Sequence, residues 1–148
     1  MTNWEVGRKF IQEAERILKR DAVGAYEEGS WNLSIRRSQE AVELALKGLL
    51  RMLGIDYPKH HDVGELFLQQ VMDKFPAIKR DMLERIKDIS KRLSRDRAPA
   101  FYFERVYSED DARKAVTDAR LVLRYVKERS EEFKRKIEVS EDESSEDD

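Results

Sequence analysis

Cysteine is absent from this chain, which excludes disulfides, thiolate metal sites and a cysteine nucleophile. Histidine occurs only at His60 and His61, and without a cysteine or a third histidine nearby no metal centre is expected. Proline (3) and glycine (6) are scarce, so the turn-dense punctuation of a β-sandwich or barrel is missing. No apolar run approaches the roughly 20 residues that cross a bilayer. The opening stretch MTNWEVGRKF also lacks the apolar segment of a secretion signal. These absences describe a soluble, cytoplasmic protein with no membrane partner, no metal and no cofactor.

What the chain has in abundance is charge. Its 148 residues suit one domain with one core, and 40% hydrophobic against 41% charged residues is the balance of a helical bundle with densely charged outer faces. The net charge of -2 conceals an asymmetry: EVSEDESSEDD, residues 138–148, holds seven acidic and no basic residues, so the remainder carries +5. The expected organisation is a helical domain over residues 1–137 and a disordered acidic tail over 138–148. That tail either competes with polyanions for the basic body or serves only solubility.

Apolar spacing predicts five helices. The first covers about residues 4–26, with Phe10, Ala14, Ile17, Leu18 and Ala25 on one face, Gly29 stopping it and Ser30 capping the next. The second, 31–53, is the central core helix: Trp31, Ile35, Val42, Leu46, Leu49 and Leu53 form its stripe. Beside the stripe, Ser38, Ala41, Ala45 and Gly48 form a small-residue ridge for a close neighbour. Gly54 and Pro58 end that helix. A short third helix begins at Asp62, with Glu65 reaching back as a capping-box variant. A fourth starts at Pro76 and runs to about Leu93, and a fifth, capped by Ser108 and Asp111, runs to about Ile137. The fold class is all-α, an antiparallel four-helix bundle with one additional short helix.

Between Lys79 and Arg105 nine basic residues face five acidic ones. Much of this strip alternates with Asp81, Glu84 and Asp88 at helical spacing, which is the pattern of ordinary surface ion pairs. Arg92, Arg95 and Arg97 are less compensated and lie beside Phe101, Tyr102 and Phe103. Guanidinium forks bind phosphate and exposed aromatics stack on bases, so this combination suits a nucleotide or single-stranded RNA. Alternatively these aromatics close the end of the bundle, and at least one of the three is expected to do so.

The segments AYEEGSWNLSIRRSQEAVELALKGLLRMLGIDYPKHHDVGELF, DRAPAFYF and YSEDDARKAVTDARLVLRYV together resemble the HEPN domain over about residues 4–135. The most specific pieces are Gln39 to Leu50, His61-Asp62 with Leu66, and Tyr107 to Ala112. The resemblance implies a bundle like the substrate-binding subunit of nucleotidyltransferases. It also implies a homodimer that partners a minimal nucleotidyltransferase, often as a toxin–antitoxin pair. Many such domains are metal-independent ribonucleases whose site is an Arg-x4-6-His motif. This sequence departs from that pattern, because Arg51 is the nearest arginine before His60, eight residues intervene, and no histidine follows position 61. No catalytic residue is therefore carried over. The chain also lacks the Gly-Ser and clustered Asp pattern of a nucleotidyltransferase, so any such transfer occurs on another chain, with Tyr102 a candidate acceptor of AMP.

Two readings stand. The first is a non-catalytic nucleotide- or RNA-binding module using Arg92, Arg95, Arg97, Tyr102, Arg105 and His61. The second is a ribonuclease toxin with a non-standard active site.

Overall fold

The computed structural model describes residues 1–75 and 77–146, and among them every regular element is helical. The chain opens with one continuous rod: α1 (Asn3–Arg16), a π-helical stretch (Ile17–Ala22) and α2 (Val23–Glu27). Thr2 caps it by accepting from the Glu5 amide at 3.2 Å. The widened π turn has no signature in the apolar spacing, and Ser34 from the next helix donates to the Ala22 carbonyl at 2.8 Å. Gly29, at φ 78°, then reverses the chain, with the Ser30 amide bonded to the Ala25 carbonyl at 2.9 Å. Ser30 does not cap through its side chain as expected; its backbone is committed to closing the preceding helix.

Helix α3 (Trp31–Met52) is the centre of the molecule, packed against α1, α5 and α6. Its predicted stripe is buried from Ile35 to Leu49, and Ser38, Ala41, Ala45 and Gly48 are buried as well. The small-residue ridge does admit a close neighbour: a Cβ on Gly7 of α1 would lie 2.5 Å from the Gly48 carbonyl oxygen. Gly54, at φ 75°, ends α3 as predicted.

The short α4 (Gly64–Lys74) packs on α5 (Arg80–Phe101). Asp62 accepts from the Gly64 amide at 3.0 Å and from the Ser90 hydroxyl at 2.8 Å. The expected return bond from Glu65 is not made, because Glu65 turns outward to Lys87 at 3.4 Å. Pro76, placed by sequence at the start of the fourth helix, lies outside the described residues, and that helix begins at Arg80. It also runs past the expected end at Leu93 and takes Pro99 into its last turn. There the proline costs only the bond to the Arg95 carbonyl.

Helix α6 (Glu109–Glu146) is capped as predicted: Asp111 accepts from the Ser108 amide at 2.9 Å, and the Ser108 hydroxyl accepts from the Asp111 amide at 3.1 Å. Ala112, Val116, Ala119, Val122 and Val126 form its buried side. The helix continues past Ile137, where apolar periodicity ends, into the segment expected to be disordered. Residues 138–143 are exposed and bury nothing. No helix of the described residues is long and apolar enough to cross a membrane.

Candidate nucleic-acid interface

Polar residues on the buried side of α3 organise the end of the bundle where α5 passes into α6. Asn32 is buried, and its Nδ2 donates to the carbonyls of Ala100 (3.1 Å) and Arg105 (2.9 Å) while its Oδ1 accepts from the Tyr107 amide (2.9 Å). One side chain thus fixes both ends of the 102–108 connection. Within it Phe103 sits at φ 55°, a conformation costly for a bulky residue.

The held turn projects its aromatics outward. Phe101, Tyr102 and Phe103 are 50%, 68% and 69% exposed, and Val106 is 80% exposed. None of the three aromatics plugs the bundle, contrary to the sequence expectation; Tyr107 fills that position at 3% exposure. Its hydroxyl donates to Asp96 at 3.1 Å, and burial, with the Asp96 charge, pushes its phenol up to about 12. The Phe101 and Tyr102 rings meet edge to face at 4.8 Å, and the Arg36 guanidinium lies 4.4 Å from the Phe101 ring.

The six sequence candidates separate into two groups. At about 100° per residue, positions 92, 95 and 96 of α5 face one side, whereas 94, 97, 98 and 101 face the opposite side. On the second side His61, Ser94, Arg97, Phe101 and Tyr102 line a cleft of about 290 Å³. On the first, Arg92, Arg95 and Arg105 line a recess of about 170 Å³ against α6.

The cleft is backed by a polar chain on α3. Glu43 accepts from His61 Nδ1 (2.7 Å), Gln39 Nε2 (2.9 Å) and Lys47 Nζ (2.8 Å). Gln39 Oε1 in turn accepts from Arg97 Nη1 at 2.9 Å, and Arg97 also pairs with Glu40 at 3.2 Å. Burial pushes the Glu43 carboxyl up, but the bonds from Lys47, Gln39 and His61 together outweigh it and hold the group below its ordinary value. Glu43 is therefore an ionised acceptor. That makes Nδ1 of His61 the donor and leaves Nε2 as the free ring nitrogen.

The fold adds one juxtaposition and changes one expectation. His61 and Arg97 are far apart in the chain, yet the fold sets them in one cleft, joined through Glu43 and Gln39 rather than bonded directly. Neither Arg92 nor Arg97 is an uncompensated cation: Arg92 is ion-paired with the largely buried Asp118, and Arg97 with Glu40. Arg95 and Arg105 keep their charge unpaired among the described residues, with the Arg105 guanidinium 4.7 Å from the Tyr107 ring.

The sequence reading missed Asn32, Gln39 and Glu43. The signal was present, since Asn32, Ser38 and Gln39 interrupt an otherwise apolar face of α3, and a buried polar side chain must find partners. The partners of Asn32, and the Arg97 that donates to Gln39, lie 58 to 75 positions away, beyond any local pattern.

Comparison with known proteins agrees with this architecture. A search of curated proteins finds no match. Among solved structures, ST0689, an archaeal HEPN homologue, is 27% identical with a TM-score of 0.62, the alignment spanning 84% of this chain and 97% of that one. TT1696 from Thermus thermophilus is 22% identical with a TM-score of 0.66, spanning 82% and 96%. The HEPN domain family matches residues 8–129. The chain belongs to the HEPN domain family.

Proposed function

We propose that this HEPN domain is a nucleotide- or RNA-binding module that does not cut its ligand, and that it works as a homodimer beside a minimal nucleotidyltransferase as a toxin–antitoxin component. The observation that carries the binding reading is the end of the bundle: three exposed aromatic rings on a turn fixed by Asn32, flanked by Arg36, Arg97 and Arg105. Aromatic faces give sequence-tolerant stacking, and guanidinium groups give phosphate affinity. The partner and the dimer rest on family membership.

Titration with short single-stranded RNA at low salt tests the reading. Saturable binding is expected, with log affinity falling against log salt at a slope of about -2, from three phosphates at roughly 0.7 each. Tyr102→Ala is expected to weaken binding by about 1–3 kcal/mol through lost stacking. An absence of saturable binding contradicts the proposal. Light scattering at micromolar concentration checks the dimer, and a strictly monomeric mass contradicts it.

A second reading is favoured by His61. A histidine held through Nδ1 by a carboxylate, with Nε2 free and an arginine in the same cleft, has the parts of a proton-transfer site. RNA cleavage by the purified protein, lost on His61→Ala, would establish this ribonuclease reading in place of the first.

A further inference from the structure

The recess between α5 and the start of α6 has a charge inventory that the binding reading does not use. Its lining includes two carboxylates, and both are committed: Asp96 accepts from the Tyr107 hydroxyl at 3.1 Å, and Asp111 accepts from the Ser108 amide at 2.9 Å. Hydrogen bonding at Ser108, the largest influence on it, holds the Asp111 carboxyl below its ordinary range, so it stays ionised. Arg92, also in the lining, is paired with Asp118. Three cations remain. Arg95, Arg105 and Lys114 come from α5, the connecting turn and α6, converge on one recess of about 170 Å³, and have no carboxylate within ion-pair distance among the described residues.

Three cations from three separate elements are not a helix-face alternation, where each charge meets an opposite one four residues away. Arg95 sits six residues before Phe101, on the opposite face of α5, and Arg105 is anchored through its own carbonyl to Asn32. Its guanidinium is further oriented over the Tyr107 ring. The turn that displays the aromatics therefore also sets one wall of the recess. The two carboxylates stay negative, with Asp111 in the field of Arg105, so the recess keeps a surplus of one positive charge, presented by donors on three sides. A phosphate monoester has three acceptor oxygens, one for each of the three donors, whereas a diester has only two free oxygens.

We infer that this recess is a seat for a terminal phosphate monoester, with Arg95, Arg105 and Lys114 as its ligands. The chemistry is shared by a mononucleotide and by the 5′-phosphorylated end of an RNA. The inference deepens the binding reading above by naming the end of the ligand that is recognised, and it adds Lys114 to the site.

The test uses the full chain, AMP, inorganic phosphate, and one RNA sequence prepared with a 5′-phosphate or a 5′-hydroxyl. The 5′-phosphorylated RNA is expected to bind about tenfold tighter than its 5′-hydroxyl counterpart, a difference of about 1.4 kcal/mol. Lys114→Gln removes one exposed side chain that the binding reading does not use and is expected to abolish most of the difference while the 5′-hydroxyl RNA binds as before. AMP and phosphate distinguish the sources: both are expected to perturb the backbone amide signals of Tyr107 and Lys114. Perturbation by AMP with no RNA binding would uphold the seat and overturn the RNA reading. RNA binding that ignores the 5′-phosphate, with no response to AMP or phosphate, would overturn the seat and leave the RNA reading standing.

Discussion

Asn32 illustrates how much of the site depends on single side chains. It satisfies three backbone groups around the α5–α6 turn, and its loss strands buried donors and acceptors, each costing about 1 kcal/mol or more. Asn32→Ala is expected to destabilise the fold by about 3 kcal/mol in a urea titration and to release Phe103 from its left-handed conformation. A loss under about 0.5 kcal/mol would show that the turn is held by something else. Two tyrosines carry a pH signature. Burial pushes the phenols of Tyr107 and Tyr125 up to about 12 from the ordinary 10. Because the folded state holds these protons more tightly than the unfolded state, their contribution to stability is intact below about pH 10 and is lost as pH rises through about 12. In a near-ultraviolet titration both phenols are expected to remain protonated until the protein unfolds in alkali, and Tyr107→Phe should make the alkaline loss of stability shallower. An unchanged alkaline profile in that variant would contradict the assignment.

Helices meet at distances their smallest residues allow. A Cβ at Gly7 would lie 2.5 Å from the Gly48 carbonyl and 2.8 Å from the Met52 amide nitrogen, and backbone atoms cannot move aside. Gly7→Ala should therefore destabilise by about 2 kcal/mol, overpacking outweighing the helix-propensity gain of about 1 kcal/mol. Gly24, on α2 with nothing within 4 Å of its would-be Cβ, provides the contrast. Gly24→Ala should stabilise by up to about 1 kcal/mol, and equal effects at both positions would refute the close-crossing account. The ridge containing Gly48 was legible in the sequence because helical periodicity places its residues on one face of a single segment. So were the Gly54 stop and the Ser108–Asp111 cap, whose partners are three residues apart. The π turn, the passage of α5 through Pro99 and the outward aromatics were not legible, since each depends on groups distant in the chain, such as Ser34 and Asn32. The same holds for the cleft. His61 and Glu43 are 18 positions apart and Gln39 and Arg97 are 58 apart, on three separate segments.

For the molecule as a whole, charge is divided between a basic body and an acidic terminus. Removing residues 138–148 changes the net charge from -2 to +5, and residues 138–143 bury nothing. Urea unfolding of the truncated chain should match that of the full chain within about 0.5 kcal/mol. Its RNA affinity at low salt should rise several-fold as repulsion of the polyanion is removed, and an unchanged affinity would mean that the terminus plays no part in binding. The central claim is that a HEPN bundle displays its ligand surface at the α5–α6 end, around the turn held by Asn32. Amide chemical-shift mapping of the full chain during titration with short single-stranded RNA tests it most directly. The account predicts saturable shifts concentrated at His61, Arg97 and residues 101–107. Shifts confined to other faces of the bundle, or none at all at low salt, would contradict it.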